Sequence, residues 1–495
     1  MSSVDRATSR ASVAALLIVL VAVATRIVSW WNPIAHVDDQ FYLLGGQELL
    51  RGHWPYIDIW DRKPLGLFLI YAGIAAIGGS SVLVLNLVAT SFAAATAMVV
   101  RQIAMRIAGP GAALMAALTY LIVLPLYGGQ NGQSPVFYNL FIAGAFLVLL
   151  RSAERQEPPL AAAMGSMLLC GLAMIVKPTS FVEGGMIGLG YLWLLWRRGT
   201  AAVPFALTAA TMIAVALLPT LLCFLPYWLN GKAAADAYIY ANYVSIFERR
   251  NFQAIARLAG AALLMLYLFP LFIMAAIGGW KRWRDHRSQA STRLVIAWMA
   301  AAIFGYFSVP SFFDHYALPL LPPLCVLAAA FFNGASGRLW FAAYAVFCLI
   351  QGSILDASSN RHEAEAYARS RTTVAASMQG GCVYVFDGPS RLYVDFPQCR
   401  PTKYLFPDHI SLITEAGAVG TDTLVELRRI LDAKPAVIVT RTAQPGRQLK
   451  SVEALLNDRL SQGYRPVLHL PPDQNASLDN LTIWQRSDLS GPPVN

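Results

Sequence analysis

Hydrophobic positions run in long blocks through most of the chain and then stop. Twelve apolar stretches stand out, at 11–31, 64–79, 82–100, 108–127, 135–150, 159–176, 180–196, 202–228, 256–280, 294–310, 317–333 and 338–356. Most approach the roughly 20 residues that a helix needs to cross a ~30 Å hydrocarbon core. After Leu355 the sequence becomes mixed and polar, with no further run of that length. The first stretch follows Arg6 and Arg10 much as the core of a signal peptide would. It is too long for that, and it ends in Trp30-Trp31 without a small-residue cleavage site, so it reads as a retained anchor helix. The pattern predicts an α-helical polytopic membrane protein with eleven to thirteen crossings over residues 1–356, followed by an extracytoplasmic domain over 357–495.

Charge orients these segments, because Lys and Arg accumulate on the cytoplasmic side. Arg6/Arg10, Arg101/Arg106, Arg151/Arg155, Arg197/Arg198 and "KRWRDHRSQASTR" at 281–293 are therefore expected inside. The loop 32–63, the "SFFDHY" turn and everything after 357 are expected outside. A cytoplasmic N-terminus with a periplasmic C-terminal domain requires an odd number of crossings, against twelve stretches. Either 64–79, only sixteen residues long, spans half the bilayer, or the charges at 101 and 106 break the rule, or two helices are merged.

Composition agrees with a membrane protein: 56% of residues are hydrophobic and 13% charged, against about 25% charged in soluble domains. The net charge of +10 lies almost entirely in the membrane-flanking loops, so it does not point to nucleic acid. Cys170, Cys223, Cys325 and Cys348 lie inside apolar spans as small core residues. Cys382 and Cys399 lie in the external tail, where an oxidising compartment permits a disulfide. No cysteine or histidine spacing resembles a zinc or haem motif.

The tail reads as a compact α/β domain. "CVYVF" at 382–386, "AVIVT" at 436–440, "PVLHL" at 466–470 and "LTIWQ" at 481–485 are strand-like, and 421–433 and 449–462 have helical apolar spacing. It lacks a glycine-rich phosphate loop, which favours a docking or lid role. Asn475-Ala-Ser and Asn480-Leu-Thr match a glycosylation sequon too short to decide anything.

The chemistry concentrates in the first outer loop, "HVDDQFYLLGGQELLRGHWPYIDIWDRKPLGLF", residues 36–68. Asp38 and Asp39 follow the anchor helix, where a carboxylate reached by water from one side can stay ionised as a general base. "QFYLLGGQELL" has the apolar spacing of an amphipathic helix lying in the interface, with Trp54, Tyr56 and Trp60 as interfacial anchors. Arg62 and Lys63 at the lip of the next apolar segment suit a lipid phosphate. Paired aspartates alone usually mark a solvated surface and Arg-Lys alone an interface anchor. Together, in one loop of a charge-poor chain, they indicate function.

In their order, "DDQFY", "DRKPLGLFLIY", "GLAMIVKPTS" at 171–180 and "DHYALPLLPPL" at 314–324 resemble the C-type (GT-C) membrane glycosyltransferases, family 39-like, which include protein O-mannosyltransferases and lipid A aminoarabinose transferases. The resemblance implies an inverting enzyme of the bacterial inner membrane that moves a sugar from a polyprenyl-phosphate donor to a glycan, lipid or protein acceptor. It makes Asp38 the base, with Asp39 where many relatives have Glu, and makes Lys63 and Arg62 donor-phosphate ligands, completed by Lys177 and His315. Tyr42 and Asp61 join them as substrate contacts. Gln133 stands where relatives often carry an acid, which weakens a metal-bridged mechanism. No cofactor is demanded, although Asp38, Asp39, Asp58 and Asp61 are the carboxylate type that suits Mg or Mn. Tyr238, Tyr240, Tyr243 and Phe247 in the loop 229–255 form an aromatic face, for membrane packing or a sugar cleft. The alternative is a multi-pass lipid or sugar transporter. Such proteins place polar sites near the midplane of repeated halves, and no internal repeat is evident here.

Overall fold

Each of the twelve apolar stretches falls on a helix in the protein, described here from a computed structural model that covers residues 3–155, 160–249, 254–308, 312–352, 354–442, 446–472 and 478–489. Asn475, of the first sequon, lies outside the described residues. Among the described residues seven helices are long and apolar enough to cross a membrane: Ala11–Ser29, Val82–Ala104, Pro110–Tyr127, Ser134–Ala153, Ala202–Leu229, Ala290–Phe307 and Asp314–Phe332. Others, such as Leu160–Met174, are shorter, and the 33-residue helix Ala254–His286 carries an internal proline at Pro270. Helix Leu65–Gly78 has 14 residues and so extends about 21 Å at 1.5 Å per residue. That is short of a full crossing and agrees with the half-spanning reading of 64–79.

The chain forms two compact units. The first comprises Met1–Val28, Asn86–Cys223 and Gln253–Leu355, and the second Ser29–Leu85, Phe224–Phe252 and Asp356–Asn495. The tail from Asp356 belongs to the second unit, and the first outer loop and the helix after it group with the tail rather than with the other helices.

Within the first unit the basic loops meet at one end. Arg106 pairs with Glu154, Arg151 donates to Gln102 Oε1 at 2.6 Å, and Arg282 reaches the Arg106 carbonyl at 3.4 Å. Helix Leu160–Met174 leaves that end, a short turn at Pro178–Ser180 reverses the chain, and Phe181–Arg197 returns. Lys177 therefore sits at the opposite end from the basic loops.

In the second unit the tail carries a four-stranded sheet of β1 (Val383–Val385), β2 (Val437–Arg441), β3 (Tyr464–His469) and β4 (Leu481–Arg486). The order is β1-β2-β4-β3, with β1 parallel to β2 and the other pairs antiparallel. The continuous apolar run of β2 is buried on both faces, as a central strand must be, whereas β4 alternates buried and half-buried positions. Helices Thr423–Asp432 and Lys450–Gly463 occupy the two segments of helical spacing. Cys382 and Cys399 are neighbours as free thiols. Burial, followed by a hydrogen bond with Cys382, pushes the Cys399 thiol up to about 12.

The loop helix, Val37–Leu50, differs from the amphipathic surface helix that its spacing suggests. It is buried along nearly its whole length, from Asp39 to Glu48. Gly45 and Gly46 explain this: a Cβ at Gly45 would lie 2.4 Å from the Phe68 ring, and one at Gly46 would lie 2.5 Å from the Tyr71 backbone. Their absence lets helix Leu65–Gly78 approach on that side. Tyr56 and Trp60 are likewise not interfacial anchors, at 0% and 2% exposure. Trp60 belongs to the apolar core of the tail, with Tyr384, Phe386, Tyr404 and Ile438, and its N–H donates to the Lys403 carbonyl at 2.8 Å. Only Trp54, at 36%, keeps much exposure.

Candidate active site

The second unit brings most of the loop residues into one cluster. His36 caps the loop helix, its Nδ1 accepting from the Asp38 N–H at 3.2 Å. Asp38 and Asp39 thus lie in the first turn, where the helix dipole favours negative charge. They are not equivalent. Asp39 is 4% exposed, 4.0 Å from His36, and hydrogen-bonded to the buried Tyr71 hydroxyl. Asp38 is the accessible member, and its Oδ2 lies 4.0 Å from Lys63 Nζ. Lys63 donates to the Tyr42 hydroxyl at 2.6 Å. Burial first, then the negative charge of Asp38 and Asp61, holds the Tyr42 phenol well above its usual value, so it stays neutral beside the ammonium.

Asp61 completes the cluster from below. It is buried, its carboxylate accepts from the Arg62 N–H, and His409 Nε2 of the tail lies 3.9 Å away. Burial raises its carboxyl above the ordinary range, opposed by Lys63. His409 is packed edge-on against Trp60 at 4.6 Å, and burial together with Arg62 and Arg249 keeps its imidazole neutral, well below its usual pKa.

Arg62 takes a different part from the one expected. Its guanidinium pairs with Glu415 and bonds Ser245 Oγ at 3.0 Å and the Ala418 carbonyl. Arg249 holds the other Glu415 oxygen at 2.6 Å. With its donors committed to protein, Arg62 braces the loop and leaves Lys63 as the cation of this cluster that faces the acidic pair. The tail grips the loop elsewhere too: Arg400 reaches Glu48 Oε2 at 2.8 Å, and the Arg391 N–H donates to Gln40 Oε1 at 3.1 Å. The expected aromatic face at 238–247 divides: Tyr238 is buried against Tyr56 and Tyr227, whereas Phe247 is 86% exposed.

The first unit holds a cavity, lined among others by Tyr138, Lys177, Glu183, Tyr306, His315 and Tyr316. The sequence-predicted cations Lys177 and His315 do meet here. Lys177 Nζ lies 4.1 Å over the Tyr316 ring, and the buried His315 ring stacks on Phe313 with its Nδ1 3.2 Å from Asp314. Gln133 serves the fold instead. It is fully buried, and its side-chain oxygen caps helix Ser134–Ala153 by accepting from the Ser134 N–H at 3.2 Å. Glu183 is absent from the residues that the motifs single out, although a lone acid in the apolar run "FVEGGMIGLG" is a signal by itself.

The carboxylates fit a divalent ion poorly. Among the described residues no group of three or more His, Cys, Asp or Glu is placed to hold a metal. Asp58 points away from the cluster to cap its own turn, accepting from the Trp54 N–H at 2.7 Å.

Taken together, the helical unit and the loop-bearing α/β tail define a C-type membrane glycosyltransferase fold. The chain is similar to ArnT from Cupriavidus metallidurans, in a crystal structure bound to undecaprenyl phosphate, with a TM-score of 0.62 at 13% identity over 96% of this chain and 99% of ArnT. The apo form of ArnT gives 0.63 at 14% identity, over 96% and 98% of the two chains. The oligosaccharyltransferase of Archaeoglobus fulgidus, tethered to an acceptor peptide with an NVT sequon, gives 0.53 at 12% identity over 87% of this chain and 69% of that one. At these identities the likeness is one of fold. No protein-family profile and no curated relative matches the sequence.

Proposed function

We propose that the chain is an inverting glycosyltransferase that moves a sugar from a polyprenyl-phosphate donor to an acceptor at the outer face of the bacterial inner membrane. The observation that carries this reading is the pairing of Asp38 with Lys63 at 4.0 Å: an accessible carboxylate beside a cation braced by the Tyr42 hydroxyl. Transfer from a phosphate leaving group requires a base on one side and stabilisation of growing phosphate charge on the other. Asp38 takes the proton of the acceptor hydroxyl as its oxygen bonds to the anomeric carbon. The bond from that carbon to the phosphate oxygen breaks, its electron pair stays on the phosphate, and Lys63 offsets the added charge. Donor binding also draws Lys63 away from Asp38, which makes the carboxylate a stronger base when the donor is present.

In this reading Lys177 and His315 are donor-phosphate ligands, and Asp39, Tyr42 and Asp61 position the reacting pair. The meeting of the basic loops at one end of the first unit supports a cytoplasmic N-terminus and a periplasmic C-terminal domain. The test is to incubate purified protein with radiolabelled polyprenyl-phosphate sugars and membrane extract, comparing wild type with Asp38→Asn. Label transfer by wild type alone is expected. Equal transfer by both removes Asp38 as the base, and no transfer from any donor removes the enzyme reading.

A further inference from the structure

Glu183 is a costly residue for the one hydrogen bond it makes. It is 5% exposed in the first turn of helix Phe181–Arg197, between apolar neighbours. Its Oε1 accepts from Trp298 Nε1 at 2.7 Å. Trp298 is fully buried and stacked on Phe146 at 4.3 Å, so the indole fixes the direction of the carboxylate. One hydrogen bond from an indole N–H does not offset the burial of a carboxylate, and a glutamine would keep that bond at lower cost. The same carboxylate lines the cavity that contains Lys177 and His315.

A bare phosphate offers Glu183 no hydrogen-bond donor. A cavity lined by Lys177 and His315, by the Glu183 carboxylate, and by the rings of Tyr138, Tyr306 and Tyr316 suits a ligand that carries an anion, a hydrogen-bond donor and an apolar ring face. A sugar linked to phosphate has all three. We propose that Glu183 is the specificity-determining residue for the donor sugar, its carboxylate accepting from a hydroxyl or ammonium group of the sugar while Lys177 and His315 face the phosphate. Trp298 is its positioning residue. This rests on the glycosyltransferase reading above and adds to it the group that distinguishes a loaded carrier from an empty one.

The experiment compares binding of three lipids to the full-length protein in nanodiscs: undecaprenyl phosphate, the same lipid carrying a neutral hexose, and the same lipid carrying an amino sugar. Wild type is expected to prefer one sugar-bearing lipid over the bare phosphate. Glu183→Gln keeps an acceptor for Trp298 and preserves the fold. It is expected to lose about tenfold of that preference if the sugar group is a hydroxyl, and about a hundredfold if it is an ammonium, as the loss of a charge-assisted bond implies. Affinity for the bare lipid is expected to stay within about twofold, because Glu183 makes no favourable contact with it. Trp298→Phe is expected to reproduce the loss in part. Equal affinity of wild type for all three lipids, an unchanged preference in Glu183→Gln, or an equal weakening of every lipid overturns the assignment and leaves the donor reading intact. Failure of wild type to bind any of the three overturns both.

Discussion

The acidic cluster of the second unit and the cavity of the first hold their charges by different means. In the cluster, charge faces charge: Asp38 against Lys63, and Glu415 between Arg62 and Arg249. In the cavity, charge is held by aromatic side chains: Lys177 lies over the Tyr316 ring, and Glu183 accepts from the Trp298 indole N–H. An ion pair can exchange its partner when a charged substrate arrives, and the pKa of the residue left behind moves with it. A charge held by a ring keeps its full demand for an opposite partner, because a cation–π contact contributes only about 0.5–2 kcal/mol. The first arrangement suits a reacting group and the second a recognition surface.

That contrast breaks if substitutions in the two regions have the same kinetic signature. The largest effect is expected from Asp38→Asn, a fall in kcat of about 10²- to 10⁴-fold, the range for loss of a general base, with donor affinity unchanged. Lys63→Met is expected to weaken both steps, raising the donor Kd about tenfold through loss of a charge-assisted contact and lowering kcat as well. Single-turnover measurements at saturating donor separate the two. If Asp38→Asn changed donor Kd and spared kcat, the cluster would be a binding surface and the division of labour would be lost.

A smaller effect tests whether the tail frames the cluster. Glu415 is 2% exposed on its side chain, with Arg62 and Arg249 on its two oxygens, themselves 13% and 14% exposed. Breaking a buried pair strands the partner charge at about 3–5 kcal/mol, and the residual exposure of both arginines lowers this to about 2 kcal/mol. Glu415→Gln is therefore expected to lower the thermal midpoint while donor Kd in the folded fraction stays the same. A selective rise in donor Kd with an unchanged midpoint would return Arg62 to the phosphate site.

Much of this is legible in the sequence, and what is hidden has a common cause. Apolar run length locates the twelve helical stretches, and β-branched alternation locates the four strands, because both are local properties. The fold likeness to ArnT agrees with the fold that the short motifs from "DDQFY" to "DHYALPLLPPL" imply. The meeting of Asp38 with Lys63, and of Lys177 with His315, can be anticipated from those motifs. The role of Arg62 cannot, since Glu415 lies some 350 positions away in sequence. Trp60 reads as an interfacial anchor until its partners Tyr384 and Tyr404 are known. The loop helix misleads for a local reason: "GG" at 45–46 interrupts the apolar face, yet it is the feature that admits helix Leu65–Gly78 at close range. Glu183 is visible throughout as the one acid in its apolar stretch.

The smallest effect belongs to a carboxylate of the tail outside both sites. Burial, opposed by Arg447 3.5 Å away, raises Asp408 from 3.8 to about 6. A carboxyl whose folded pKa lies above its unfolded value favours the protonated form in the native state. Its contribution to stability is therefore complete below pH 3.8 and is lost as pH rises through about 6. Asp408→Asn fixes the neutral state, so the variant is expected to match wild type near pH 4 and to exceed it at pH 7. Its side chain is 30% exposed, so solvent screening limits the gain to no more than about 1 kcal/mol. Thermal midpoints at the two pH values measure it. Asp408 directly precedes His409, which packs on Trp60 and faces Asp61. Transfer activity of Asp408→Asn should keep the pH profile of wild type if the cluster is set by Asp38 and Lys63, and a shifted profile would mean that the tail tunes the chemistry as well as bracing it.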